Sequence, residues 1–323
     1  MKKKLVFACI IFILINGLIW VSRVNADSGS SKEGETEETK LSVSEQLMYT
    51  TVRIACIKQG KKGSGTGFFF RFRFFNDSRD YYIPSIVTNT HVVEGAEKGI
   101  FFITEEAEDG SPMVSKSIPI IFYNFEKAWR KHESVDLCVM PIAPLLKQAK
   151  EKGKKPFIRY FDKEVIPSDE ELAELTAIED VIMVGYPIGL MDEVHNLPIM
   201  RSGITATHPN VDYNGKEEFL IDAACFPGSS GSPVCLFDKG TYWSKKDGHF
   251  KVGVRFKLLG ILYGGPQYTE EGKIVVKNIP TKVEPYAMTK IPINIGYVIK
   301  SKKLFDFKNS FKKELKLKSN IPR

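Results

Sequence analysis

Residues 221–234, Ile-Asp-Ala-Ala-Cys-Phe-Pro-Gly-Ser-Ser-Gly-Ser-Pro-Val, begin as a strand-like run and break at Pro227 into a turn of small residues. Two glycines, Gly228 and Gly231, bracket Ser229 and Ser230. A serine hydroxyl is a poor nucleophile until a base takes its proton, and the oxyanion that follows needs hydrogen-bond donors. A tight turn of small residues suits both needs, because it can aim the Gly228 and Ser230 backbone N–H groups at one point. Taken alone, Gly-Ser-Ser-Gly is only a turn. The strand-to-helix nucleophile elbow is excluded, since it requires glycine at the position of Ser232.

Working outward, the remaining members of such a site must lie elsewhere. Of the five histidines, His91, His132, His195, His208 and His249, only His91 directly follows a strongly β-type run (SIVTNTHVV). His132 sits in a charged stretch, and the other three lie near Gly, Pro, Asn or Asp, as solvated loop histidines do. A carboxylate must fix the imidazole tautomer and stabilise its charged form. Asp136 begins the apolar run Asp-Leu-Cys-Val-Met and lies between His91 and Ser230 in the chain, which makes it the best candidate. Asp180 starts another strand and is the reserve; Asp222 is only eight residues from Ser230 on its own strand. The order His, Asp, Ser excludes the chain orders of two other hydrolase types.

The surrounding pattern is of short β-type runs broken by Gly, Pro, Asn and Asp: residues 51–57, 67–75, 83–89, 117–123, 136–142, 180–187, 219–225, 258–264 and 295–299. Many short strands at this density predict an all-β sandwich or pair of barrels. One helix is expected from Ser168 toward Ala177, because Ser168 and Glu171 form a capping box after Pro167. The Lys-rich stretch 147–155 reads as a solvated connector between two halves. Leu304, Phe307, Phe311 and Leu315 recur at helical spacing among lysines, which suits a C-terminal helix docking on the barrel; a membrane-surface helix has the same periodicity.

Charge is concentrated at the ends. The formal net charge of +7 comes from four basic residues in the first 23 and a net +6 over 302–323, offset by a net −3 over 27–40. The intervening body is neutral, which argues against a nucleic-acid partner. Lys2, Lys3 and Lys4 precede an apolar run, Leu5 to Val21, with Val24-Asn25-Ala26 beyond it. Residues 1–26 therefore read as a signal peptide or an uncleaved N-terminal membrane anchor. Both place the body outside the cytoplasm, periplasmic, secreted or held at a membrane through residues 5–21. Residues 27–44, almost free of apolar side chains, read as a flexible acidic linker, followed by a domain over 45–305 and a basic tail over 306–323. Cys56, Cys138, Cys225 and Cys235 match no zinc spacing and read as buried thiols, although export would permit a disulfide. No metal or cofactor is implied.

Taken in order, GSGTGFFF (63–70), IVTNTHVV (86–93), VDLCVM (135–140), VGYPIG (184–189), SGITA (202–206), IDAACFPGSSGSPV (221–234), GILYGG (260–265) and NIGYVI (294–299) resemble a trypsin-like peptidase of the bacterial kind, similar to the protease domain of the DegP/HtrA group. The resemblance covers roughly residues 48–305. It implies two six-stranded antiparallel β-barrels of the chymotrypsin-like kind, with the active site between them, and a serine endopeptidase acting on polypeptides. It makes His91 the general base, Asp136 its orienter, Ser230 the nucleophile, and the Gly228 and Ser230 N–H groups the oxyanion donors. The strand from Ile261 through Gly264 to Gly265 would hold the substrate backbone, with Ala224 at the floor of the pocket for the residue before the cut bond and Tyr263, Gly265 and Gly296 lining it. An alanine floor implies small or medium apolar side chains there. Departures are Ser229 where an aspartate would allow activation by a newly made N-terminus, a connection over 143–180 longer and more helical than usual, and only about twenty residues after the last barrel strand, so that no PDZ-like domain is expected. The competing expectation is a catalytically silent peptide-binding module or an envelope scaffold on the same fold.

Overall fold

The computed structural model describes residues 41–76, 79–187, 190–270, 289–292 and 294–319. The leader or anchor at 1–26 and nearly all of the linker lie outside them. A helix, α1 (Val43–Thr50), takes in the last two linker residues; its capping box joins Ser42 and Glu45.

Strand β1 (Thr51–Lys58) pairs with β2 (Lys61–Asn76), and β2 with β3 (Arg79–Thr88). Strand β2 organises the molecule. Its side chains alternate with period two: Phe68, Phe70, Phe72 and Phe74 face one core, while Phe69 faces another with Ile54 and Ile86. After the short helix α2 (Thr90–Val93) come β4 (Lys98–Glu106), β5 (Pro112–Tyr123), β6 (Arg130–Lys131) and β7 (Cys138–Pro141). These seven strands form one antiparallel sheet in the order β5-β4-β1-β2-β3-β7-β6, curled around the Phe69 core.

The second half contains β8 (Asp180–Gly185), β9 (Ile199–Thr205), β10 (Glu218–Asp222), β11 (Pro233–Ser244), β12 (His249–Gly264), β13 (Gln267–Glu270), β14 (Thr289–Pro292) and β15 (Ile295–Lys300). Six of them close a barrel in the order β10-β15-β12-β11-β8-β9. The architecture is the expected two-barrel one, with a seven-stranded N-terminal sheet in place of a six-stranded ring.

The even-numbered phenylalanines of β2 share their core with Val184, Cys235, Leu258, Ile261 and Ile299 of the second barrel. The two halves are thus packed through one continuous apolar interior.

Three local expectations change. The Lys-rich connector is partly helical: α3 spans Ala143–Glu151, buries Ala149 and packs Leu145 and Leu146 on the N-terminal core. Its lysines face solvent, so composition reported the exposed side and not the apolar one. The following segment is not loose either; Phe161 pairs with β2 through Phe161 N–H to Phe69 O and Arg71 N–H to Phe161 O, and buries its ring in the shared core. The capped helix α4 (Asp169–Ala173) is shorter than expected. The C-terminal helix α5 (Asp306–Ser319) docks: Phe307 and Phe311 are buried against Phe72, and Phe311 also meets the edge of Phe74. Leu304, Phe307 and Phe311 of the apolar stripe are buried in the protein, which removes the membrane-surface reading of that part of the face. Among the described residues no helix is long and apolar enough to cross a membrane.

Phe311 fixes α5 on the shared core from a buried position, with the Arg130 guanidinium 5.0 Å from the ring centroid. Phe311→Ala is expected to lower unfolding free energy by about 3 kcal/mol, the ordinary cost of deleting a buried phenylalanine ring, read as an earlier midpoint in urea denaturation.

Candidate active site

His91 stands on the single turn of α2, directly after β3. Side chains lace that turn to the loop carrying the aspartate. Asn89 donates through Nδ2 to the Asp136 carbonyl (2.7 Å), and the Thr90 hydroxyl donates to the Leu137 carbonyl (3.0 Å). Asn89 and Leu137 are fully buried. His91 N–H donates to Asp136 Oδ1 (3.1 Å), and the ring Nδ1 lies 2.5 Å from Asp136 Oδ2. A carboxylate at Nδ1 holds the proton on that nitrogen and leaves Nε2 as the basic one. Burial by itself would raise the Asp136 carboxyl; the His91 ring, by hydrogen bond and charge, and the His91 and Thr90 amides outweigh it, so the group sits below the ordinary aspartate value. Neither His132 nor His195 joins this site: His132 pairs with Asp306, and His195 with Asp192. Asp180, the reserve, starts β8.

The turn at 226–232 is fixed from both halves. Thr66 of β2 donates its N–H to the Ser230 carbonyl (2.9 Å) and its hydroxyl to the Gly228 carbonyl (2.9 Å). The same hydroxyl accepts the Tyr186 N–H (3.0 Å), and the Thr66 carbonyl accepts the Thr88 hydroxyl (2.6 Å). From the other side Gly231 N–H reaches the Leu262 carbonyl (2.8 Å), and Leu262 N–H the Ser232 carbonyl (3.0 Å). Gly231 has φ +88°, and a Cβ there would collide with the Thr66 carbonyl oxygen, so only glycine fits. Gly228 also has positive φ, at +90°. Ser229 and Ser232 are buried. Among the described residues neither the Gly228 nor the Ser230 N–H has an acceptor in the protein, which leaves both donors for a ligand.

His91 and Ser230 line one cleft of about 410 Å³, with Lys58, Ser64, Cys225, Phe226, Leu262, Gly264, Gly265 and Ile295 among its other walls. Folding therefore brings together three groups drawn from separate parts of the chain. The serine hydroxyl donates to the Tyr263 carbonyl at 3.4 Å, and no hydrogen bond joins it to the His91 ring.

The substrate-side residues divide. Gly264 and Gly265 are on the cleft wall, whereas Ala224, Tyr263 and Gly296 are not. Ala224 is one residue off: Cys225 supplies the wall, and the Ala224 carbonyl accepts from Arg201 Nη1 (2.6 Å) behind it. Tyr263 turns its ring away to Glu218, to which its hydroxyl donates (2.7 Å). Gly296 backs the wall; a Cβ there would come within 2.7 Å of Cys225 Sγ. Sequence reading missed Thr66, although GSGTG was singled out, and it missed Lys58, whose Nζ donates to the His91 carbonyl (2.6 Å). Thr66 carried a signal, a lone hydroxyl between two glycines; Lys58 carried none. All four thiols in the described residues are free, three of them buried. Burial pushes the half-buried Cys225 up to about 11, Arg201 opposing. No group of three or more His, Cys, Asp or Glu among the described residues could hold a metal ion.

Residues 65–241 match the trypsin-like peptidase domain. The chain belongs to that family. Solved structures similar to it include the HtrA-type protease AlgW with tripeptide (16% identity, 82% of this chain and 60% of that one, TM-score 0.43), the active form of the Rv3671c protease from M. tuberculosis (16%, 80% and 79%, 0.40) and the serine endoprotease from Yersinia pestis (15%, 82% and 63%, 0.41). The chain thus spans about 60% of the length of the AlgW and Yersinia pestis chains. No curated protein sequence matches it.

Because the folded Asp136 carboxyl lies below its unfolded value, its ionised form favours the fold: the contribution is present above the ordinary aspartate value, about 3.9, and is lost as pH falls through the lower folded value. Asp136→Asn is expected to flatten the acid limb of the stability curve below about pH 4. Urea unfolding of both proteins between pH 3 and 6 reads this; parallel curves would remove the pairing as a source of acid sensitivity.

Proposed function

We propose that this family member is a serine endopeptidase that hydrolyses peptide bonds through an acyl-enzyme on Ser230. The observation that carries the reading is the pairing of the His91 ring with Asp136 in the same cleft as Ser230, beside two unclaimed backbone N–H groups. His91 Nε2 takes the Ser230 proton as the hydroxyl attacks the substrate carbonyl. The Gly228 and Ser230 N–H groups receive the oxyanion, and Asp136 stabilises the imidazolium. His91 then protonates the leaving amine, and water, activated by the same ring, releases the acid and restores the hydroxyl. For this sequence the Ser230 hydroxyl must give up the Tyr263 carbonyl for His91.

The pocket next to the nucleophile supports a preference for small or medium apolar side chains before the cut bond. Its walls are Cys225, Leu262 and Ile295, none of them acidic. The Arg201 guanidinium, 4.8 Å from the Phe226 ring centroid, adds a cation behind them. A lysine or arginine would find no carboxylate among the residues that line the cleft, where Lys58 already supplies a like charge. Export through the N-terminal segment, with the body secreted or held at a membrane, accompanies this reading.

One observation favours the silent binding module instead: the serine is bonded to a carbonyl and not to the histidine. A fluorophosphonate probe separates the two readings. Wild type is expected to be labelled and Ser230→Ala unlabelled; labelling that persists in the variant removes Ser230 from its role, and none on either favours the binding module. In a peptide library the expected cleavage follows Ala, Val or similar residues, and strong cleavage after Arg would overturn the pocket assignment.

A further inference from the structure

The hairpin of β11 and β12 runs past the barrel, and its two faces are unlike. Directly paired residues point to the same side. On one face Asp238 lies opposite Arg255 and Tyr242 opposite Lys251. That face is covered: Arg255 bonds Asp238 and Glu179, its guanidinium stacks on Tyr242, and Lys251 pairs with Asp247.

The other face carries, from the barrel outward, Phe237 opposite Phe256, Lys239 opposite Val254, Thr241 opposite Val252 and Trp243 opposite Phe250. The first rung is packed, Phe256 lying against Phe161 and Phe237. The outer three are bare. Val252 is 89% exposed, Phe250 69%, Val254 46% and Trp243 44%. A sheet face turned to water ordinarily carries polar side chains. Here the apolar row of the core continues into solvent and ends in an aromatic pair, Trp243 and Phe250, with ring centroids 5.2 Å apart.

Lysines rim this strip. Lys239 lies on the face itself, and Lys245 and Lys246 form the turn beyond Trp243. None of the three ammonium groups has a carboxylate partner among the described residues: Lys239 Nζ sits over the Phe237 ring and Lys245 Nζ donates to the Ala173 carbonyl, while the Lys246 backbone N–H donates to Glu174 (2.6 Å). The nearby acids are already taken: Asp238 by Arg255, Asp247 by Lys251 and Glu174 by the Lys246 backbone N–H.

We infer that the outer half of this hairpin is a lipid-binding surface, with Trp243, Phe250, Val252 and Val254 entering the boundary of an anionic membrane and Lys239, Lys245 and Lys246 meeting its headgroups. An aromatic pair beside lysines on an apolar strip suits that boundary, where amphipathic rings sit at headgroup level and cations gain from anionic lipid. A second copy across a two-fold axis would instead set unpaired lysines against lysines. The sequence adds reach: the apolar run ending at Val21 is 22 residues before Val43, a length that spans at most about 75 Å when fully extended. The inference rests on this surface and not on the peptidase reading.

The test uses the full chain in vesicles of phosphatidylcholine alone, in vesicles with one third phosphatidylglycerol, and in detergent without lipid. Lysine acetylation is read by mass spectrometry, with the exposed Lys116 and Lys127 on the other half as internal controls. Acetylation of Lys239, Lys245 and Lys246 is expected to slow about fivefold or more in the anionic vesicles, the weight of a surface lysine on anionic lipid, with the controls unchanged. Trp243→Ser/Phe250→Ser, which alters only exposed side chains and is expected to keep the wild-type melting temperature, should lose that protection. Equal acetylation in the two vesicle types, or protection kept by the double variant, overturns the inference. So does protection in detergent: if it grows with protein concentration the occupant is a second copy, and if it does not the chain covers its own hairpin.

Discussion

Thr66 is the residue on which the site depends. It is fully buried on β2, the strand shared by both cores, and its amide, hydroxyl and carbonyl together hold three pieces of the cleft. The amide and hydroxyl grip the turn that carries Ser230, the hydroxyl also anchors β8 through Tyr186, and the carbonyl takes the hydroxyl of Thr88 at the end of β3. The hydroxyl acts at once as donor and acceptor, which no apolar residue of the same shape could do. Its backbone lies so close to Gly231 that a side chain there would drive the halves apart. The position of the serine relative to the histidine is therefore set by packing between two barrels and not by either alone.

The histidine side is built on the same principle. Asn89 and Thr90 tie α2 to the loop of Asp136, so the imidazole is oriented by the protein itself. Orientation fixed in advance costs nothing at the moment of reaction. The serine is held differently: its hydroxyl rests on the Tyr263 carbonyl and makes no hydrogen bond to the ring. The hairpin shows the opposite case, where an apolar row outruns the barrel that should cover it, and an uncovered row of this kind asks for a partner.

Much of the fold was legible because strand periodicity is local. GFFFRFRFF read as a β-type run, and the Ser168–Glu171 capping box announced a helix start. The helix at 143–151 was not legible, since its lysines dominate the composition while its few apolar residues decide its packing. His91, Asp136 and Ser230 could be chosen from chain order and residue type. Ala224 could not be distinguished from Cys225, because both lie in the irregular segment after β10, where no strand alternation says which side chain meets the cleft.

The sequence by itself determined residue chemistry and its order: a small-residue turn with a serine, a histidine after a β run, an aspartate between them, and an all-β frame to carry them. These are local properties, fixed by side-chain type and by periodicity along the chain. Only the tertiary structure decided that the ring meets Asp136, that Thr66 bridges the halves, that Tyr263 looks away and that the hairpin face stays bare. Those facts depend on contacts between residues far apart in the chain, and such contacts are set by how two cores close on each other.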